Sequence, residues 1–339
     1  MEALPTISII FPRKPDDTAE ESIQAVLQST YPHHLLEIIE VIGQHPSKQR
    51  NLGVAAAQGD LIYFLDNDSI VPPALFSGVV KDYLKPPDDS DAAVKRIAGV
   101  GGPNLTPETD GFLQKTFGYA LASPFAHFTM CARYTPMGKL RYAGEKELIL
   151  CNLSLRREVF LREGGFNESL YPNEENEFMN RLRARGYHLL YDPEAVVFRS
   201  RRNRCRAFIR QLFTYGRGRA EQILVEGMSL SALLFFLPLG LLGYLGGLTL
   251  LLLGGLLRWW MLLPLALYAG LAVLAALQTA VRQRQPLLVL LLPLWSLLMH
   301  LAYGIGLLYG LSRHAWNPFK QAQQASSEAV EVVVRKQLG

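Results

Sequence analysis

Gly59-Asp60-Leu61-Ile62-Tyr63-Phe64-Leu65-Asp66-Asn67-Asp68 is an apolar run that ends in two carboxylates separated by one residue. Leu61 to Leu65 has the length and β-rich character of a strand buried on both faces. Asp66 and Asp68 then stand at its carboxyl end, where open α/β sheets bind their ligands. An Asp-x-Asp pair there puts both carboxylates within reach of one hard divalent cation, Mg²⁺ or Mn²⁺, which in turn could bridge to a diphosphate. Turn chemistry is the other reading of Asp66-Asn67-Asp68-Ser69, because Asp and Asn favour turns.

Upstream, Ile7-Ser8-Ile9-Ile10-Phe11 reads as a buried first strand closed by Pro12. Arg13-Lys14-Pro15 follows at its carboxyl end, a cationic place suited to phosphate. Thr18 to Ser29 carries Ile23, Val26 and Leu27 at helical spacing with acids in its first turn, and Tyr31-Pro32 stops it. Leu36 to Ile42 is a second buried strand. A strand-helix-strand order predicts parallel pairing through a right-handed crossover. Lys48 to Ala57 reads as a short helix that feeds the central strand; its basic start, Lys48 and Arg50, faces either the same crevice or solvent.

Downstream, Ile97 to Gly102 is a further strand, while Thr106 to Gly144 shows no assignable elements. Order returns with Leu148 to Arg156 and a helix that ends at Gly164-Gly165. Phe166-Asn167-Glu168 comes next, then the acidic run Asn173-Glu174-Glu175-Asn176-Glu177 opening a helix to Arg185. An acidic helix start is also what the helix dipole favours.

The composition then changes. The chain has 339 residues and a net charge of +4, yet between Leu230 and Leu311 its only charges are Arg258, Arg282 and Arg284. Three stretches, approximately Leu230 to Leu253, Trp260 to Val281 and Leu287 to Leu311, have the length and composition of membrane spans. Just before them eight arginines cluster between Arg199 and Arg219, the positive-inside signature. Arg204 to Glu226 sets apolar residues among those arginines at helical spacing, which predicts an interfacial amphipathic helix with its cationic side toward lipid headgroups. With no signal-like segment before the first strand, the charged part is expected in the cytoplasm. Basic segments before the first and after the second span put the tail after Phe319 on the opposite side. Three scattered cysteines, Cys131, Cys151 and Cys205, support neither a disulfide framework nor a zinc site.

Taken in order, the motifs resemble family-2 glycosyltransferases of the GT-A fold. The resemblance rests on the strand with Pro12, Arg50-Asn51-Leu52-Gly53, Asp66-Asn67-Asp68, Gly164-Gly165-Phe166-Asn167-Glu168 and Asn173-Glu174-Glu175. It covers about residues 5 to 225. Arg210-Gln211, Tyr215-Gly216-Arg217-Gly218-Arg219 and Met299-His300-Leu301-Ala302-Tyr303-Gly304 are most similar to membrane-bound, succinoglycan-type glucosyltransferases. Three positions depart from the family: Ile42-Gly43-Gln44-His45 replaces a nucleoside-binding Asp pair, Glu174-Glu175 replaces Glu-Asp, and Arg199 falls where a metal-binding His often stands.

The resemblance implies a Rossmann-like α/β domain over 1–200 with a mostly parallel sheet and helices on both faces. Interface helices over 201–228, a transmembrane domain over 229–312 and a polar tail over 313–339 complete the expected chain. It implies an inverting enzyme of the bacterial inner membrane that takes sugar from a nucleotide sugar to a polyprenyl-linked saccharide, with membrane lipids and no nucleic acid as partners. Glu175 is then the expected base and Glu174 its neighbour that positions the acceptor. Pro12, Arg13, Arg50, Asp66, Asp68, Arg217 and Arg219 are expected on the donor, Gly165, Phe166 and Gln211 on the acceptor side, and Asp68 with Asp66 on the metal. A polyprenyl-phosphate sugar synthase and a silent scaffold that holds nucleotide sugar are the alternatives.

Overall fold

The computed structural model describes residues 4–85, 87, 91–314 and 330–336. The chain divides into two compact units, one of Met1–Pro107, Ala132–Ser200 and Phe319–Gly339, the other of Glu108–Cys131 and Arg201–Pro318.

The first unit is built on an eight-stranded sheet. Its strands are β1 (Ile7–Arg13), β2 (Leu36–Ile42), β3 (Leu61–Phe64), β5 (Ile97–Gly101), β7 (Arg141–Ala143), β8 (Leu153–Arg156), β9 (His188–Tyr191) and β11 (Glu331–Lys336), in the spatial order β11-β2-β1-β3-β8-β5-β9-β7. A small second sheet joins β4 (Ser69–Ile70), β10 (Val197–Arg199) and β6 (Asn104–Leu105). The helices of this unit are α1 (Glu20–Leu27), α2 (Pro46–Ala56), α3 (Leu75–Leu84), α4 (Asp91–Arg96), α7 (Arg157–Arg162) and α8 (Glu174–Ala184).

Alternation along β1 explains why helices cover both faces. Ile7, Ile9 and Phe11 enter a cluster with Ile23 and Val26 of α1 and Phe76 and Val79 of α3. Ile10 enters the opposite cluster with Val54 of α2, Val159 of α7 and Phe178 of α8. Each such fully buried side chain contributes about 1.5 to 3 kcal/mol. β1 runs parallel to β2 and β3, and β5 parallel to β9. β8, β7 and β11 enter antiparallel, so the sheet is mixed rather than mostly parallel. The reason is β8, which follows a long excursion and inserts between β3 and β5 against both.

Gly59 sits where β3 is about to begin, and a Cβ there would lie 2.6 Å from the backbone nitrogen of Ser8. Its own N–H donates to Ser8 Oγ at 2.8 Å, which locks the start of the central strand onto β1. β1 does not stop at Pro12; it continues to Arg13, with Pro12 opposite Val41.

Most of the tail expected over 313–339 lies outside the described residues, but Glu331–Lys336 forms β11 on the open edge of β2. Arg335 pairs there with the buried Glu40, which also accepts from Arg13 Nε at 2.7 Å. This strand is therefore part of the α/β unit, which the expectation of a tail on the opposite side did not provide for. A Val-rich run finds its partner nearly 300 residues away, and local periodicity carries no trace of that.

The second unit holds α5 (Phe112–Leu121), α6 (Pro124–His127), α9 (Cys205–Glu226), α10 (Leu237–Leu253), α11 (Leu263–Gln283) and α12 (Leu288–His314). Three segments, Ala232–Leu253, Trp259–Gln283 and Leu288–Arg313, are long and apolar enough to cross a membrane, close to the expected spans. Small residues let α9 and α12 meet backbone to backbone: a Cβ on Gly216 would overlap the Tyr303 carbonyl, and one on Gly306 the Phe213 carbonyl. The region that showed no assignable elements supplies α5 and α6, and Phe117 stacks on Phe208 with ring centroids 4.1 Å apart.

Candidate active site

The carboxyl end of β3 carries Asp66 and Asp68, as expected. β10 lies antiparallel to β4 with Arg199 opposite Ser69, and this register delivers the Arg199 side chain to both carboxylates. Nε donates to Asp68 Oδ1 at 2.6 Å, and Nη1 pairs with Asp66 Oδ2 at 2.7 Å. On the other side of Asp66, Arg50 Nη2 donates to Oδ1 at 3.2 Å, while its Nη1 donates to Glu174 Oε1 at 2.8 Å. Asp68, Arg199, Asp66, Arg50 and Glu174 thus form one ladder of alternating charge that runs from the strand end to the first turn of α8.

Burial grades along this ladder. The side chain of Asp68 is 44% exposed and that of Arg199 23%, whereas Arg50 is 8% and Glu174 2% exposed. Burial opposes the charge of Arg50, but Glu174 and then Asp66 hold its guanidinium ionised, above its ordinary value. Burial pushes the Glu174 carboxyl well above the usual range, the negative Glu175 adds to this, and Arg50 pulls it back. Glu174 Oε2 is buried without a hydrogen-bond partner among the described residues.

Two sequence motifs meet here through one side chain. Asn51 Nδ2 donates to the Phe166 carbonyl at 2.9 Å and its Oδ1 accepts from the Phe166 N–H at 2.9 Å. That clamp needs the backbone to turn at Gly165, whose φ of +68° suits glycine. Asn173 has φ +89°, a left-handed conformation that Asn tolerates, and it aims Glu174 inward as α8 begins. Glu175, one residue on, is half-buried and has no hydrogen-bond or ion-pair partner among the described residues.

The remaining expected residues are placed as follows. Phe166 is a core ring packed on Phe64 and Phe178, 3% exposed, and Gly165 supplies the turn before it. Pro12 is buried within β1. Arg13 is engaged by Glu40 and by the carbonyls of Lys14, Pro15 and Asp17. Gln211, Arg217 and Arg219 belong to the second unit, and there Gln211 donates to Tyr215 at 2.5 Å, Arg217 pairs with Glu221, and Arg219 is buried with its guanidinium 3.9 Å from the Phe235 ring centroid.

Sequence reasoning put Arg199 where a metal-binding His often stands but did not foresee its pairing with both carboxylates, and it missed Asn152. Asn152 is fully buried beneath the strand ends, accepts from Tyr63 at 2.5 Å and donates to the carbonyls of Pro103 and Ala195. The signal for Arg199 was present, a cation at the end of an apolar strand where the family often has histidine. For Asn152 there was no signal.

Asp66 and Asp68 are the ligand type a hard divalent ion prefers. Among the described residues no cluster of three or more His, Cys, Asp or Glu side chains could hold a metal. Asp66 and Asp68 would hold a Mg²⁺ or Mn²⁺ ion together with substrate phosphate and water, the usual arrangement for Mg²⁺.

The family model described as glycosyl transferase family group 2 matches residues 61–309. The succinoglycan biosynthesis protein ExoA of Rhizobium meliloti is 26% identical over 270 residues, covering 74% of this chain and 78% of that protein. The pre-mycofactocin glycosyltransferase of Mycobacterium tuberculosis is 27% identical over 172 residues, 50% of this chain. The chain spans only about a third of that relative's length, 33%. Among solved structures, the mannosyltransferase PcManGT from Pyrobaculum calidifontis in complex with GDP-Man and Mn²⁺ superposes with a TM-score of 0.52 at 16% identity, over 92% of this chain and 88% of that one. At that identity the likeness speaks for the GT-A fold.

Proposed function

The chain belongs to glycosyl transferase family group 2, and from that premise we propose that it moves a sugar, with inversion, from a nucleotide sugar such as a UDP sugar to a polyprenyl-diphosphate-linked saccharide. The setting is the cytoplasmic face of a bacterial inner membrane, in the synthesis of exopolysaccharide or another surface glycan. The observation that carries this reading is the charge ladder, which ties the carboxylates at the end of β3 to the acidic start of α8.

Asp66 and Asp68 would hold Mg²⁺ or Mn²⁺, which when bound neutralises charge on the diphosphate leaving group. In the transfer, the bond from the anomeric carbon to the phosphate oxygen breaks, and the nucleoside diphosphate departs with its electron pair. An acceptor hydroxyl oxygen forms the new bond from the opposite face and loses its proton to the Glu175 carboxylate. Glu174, fixed by Arg50, sets the position of that carboxylate. A phosphate acceptor would need no base, and a Glu175 carboxylate with no hydrogen-bond or ion-pair partner among the described residues favours a hydroxyl.

Membranes containing the protein, incubated with Mn²⁺ and a panel of labelled UDP and GDP sugars, should pass one label into the lipid fraction. Asp68→Asn should cut that transfer about 100-fold, since a metal ion contributes several kcal/mol to stabilising transition-state charge. Transfer that ignores both Asp68→Asn and a chelator would overturn the metal role, and label that never enters lipid would overturn the acceptor.

Strand pairing supports a one-sided membrane topology. A chain that leaves the α/β unit after β10 and returns to it as β11 would enter and leave a bilayer on the same side. The number of crossings is then even, so one of the three apolar helices lies in the interface or turns back. Reporters fused before residue 1 and after Gly339 should report the same side. Opposite sides would restore three full crossings and would require β11 to leave the sheet.

A further inference from the structure

Arg199 occupies an unexpected place. It takes one oxygen from Asp66 and one from Asp68, the two carboxylates that would hold the divalent ion. A guanidinium and a divalent ion on the same two carboxylates repel each other at contact distance, so they exchange rather than coexist. Arg50 cannot make the same exchange, for it is buried and also bound to Glu174. Arg199 can, because it is partly exposed and lies at the solvent end of the ladder, beside the most exposed carboxylate. Its planar fork also matches phosphate oxygens.

We propose that Arg199 guards the metal site: it neutralises Asp66 and Asp68 in the empty enzyme, and transfers to the donor's diphosphate as that group arrives, so that metal and donor bind together. The inference rests on the glycosyltransferase reading of this site. Arg199 is thereby a donor-binding residue as well as a competitor of the ion, and the ion alone binds weakly.

The test is Mn²⁺ binding to the purified full-length protein, read from the electron paramagnetic resonance of free Mn²⁺, with and without UDP or GDP. Without nucleotide, Arg199→Gln should bind Mn²⁺ about ten-fold tighter than wild type, the worth of one or two partly exposed ion pairs. With the preferred nucleoside diphosphate the difference should vanish or reverse, because the variant lacks the cation that the diphosphate recruits. Arg199→Lys keeps a charge but loses the fork, and should fall between; it also serves if Arg199→Gln fails to fold. Equal or weaker Mn²⁺ binding by the variants without nucleotide would overturn the guarding role. A failure of the underlying reading looks different: no nucleoside diphosphate would raise Mn²⁺ affinity in any of the three proteins.

Discussion

Glu175→Gln should lower the transfer rate by about 10² to 10⁴ while nucleotide-sugar affinity stays within about two-fold, the pattern of a lost general base. The argument is positional. Glu174, its neighbour, is committed to Arg50 and sealed from solvent, whereas Glu175 is half-buried and has no protein partner among the described residues. Glu175→Asp should retain part of the activity, because the resembling family commonly has Asp there. The measurement is single-turnover transfer at saturating donor, alongside equilibrium binding of the nucleotide sugar. Near-normal turnover by Glu175→Gln would mean that the proton goes elsewhere or that the acceptor is a phosphate.

Arg50→Met should cost about 3 to 5 kcal/mol of stability, the usual consequence of removing one partner of a buried ion pair. It strands Glu174, whose second oxygen already lacks a hydrogen-bond partner among the described residues. The loss should depend on pH. In the folded state burial holds the Glu174 carboxyl above its unfolded value, so the protonated form contributes stability that is fully present below about pH 4.3 and is lost as pH rises through the raised folded value. Without Arg50 to favour ionisation that folded value climbs further, so the deficit of Arg50→Met should be smaller near pH 5 than near pH 8. Thermal unfolding of the full-length protein at the two pH values measures it, and Arg50→Met combined with Glu174→Gln should recover most of the loss. A deficit under 1 kcal/mol at pH 8 would mean that Glu174 is solvated or neutral regardless of Arg50.

How much of this was legible in the sequence depends on the range of the interaction. β1, β2 and β3 were readable because a strand buried on both faces is a continuous apolar run, and the three apolar helices because each is 22 to 26 residues of nearly uncharged chain. That Phe166 packs in the core was not legible, because a family signature does not distinguish a ring that packs from one that binds. β4 and β10 have two and three residues, too few for any periodicity, and with them went the pairing of Arg199 with Asp66 and Asp68. The mixed sheet was missed for a related reason: the direction of β8 is set by its neighbours and not by its own residues.

The pairing of β11 with β2 also fixes an order of events. About 290 residues separate Ile42 from Glu331, and at about 5 to 20 residues per second their synthesis takes roughly 15 to 60 s. Throughout that interval β2 has an open edge, the feature by which sheets recruit foreign strands. All three apolar helices leave the ribosome before Glu331–Lys336, so the sheet of the α/β unit gains the strand that covers β2 only after the apolar segments have been made.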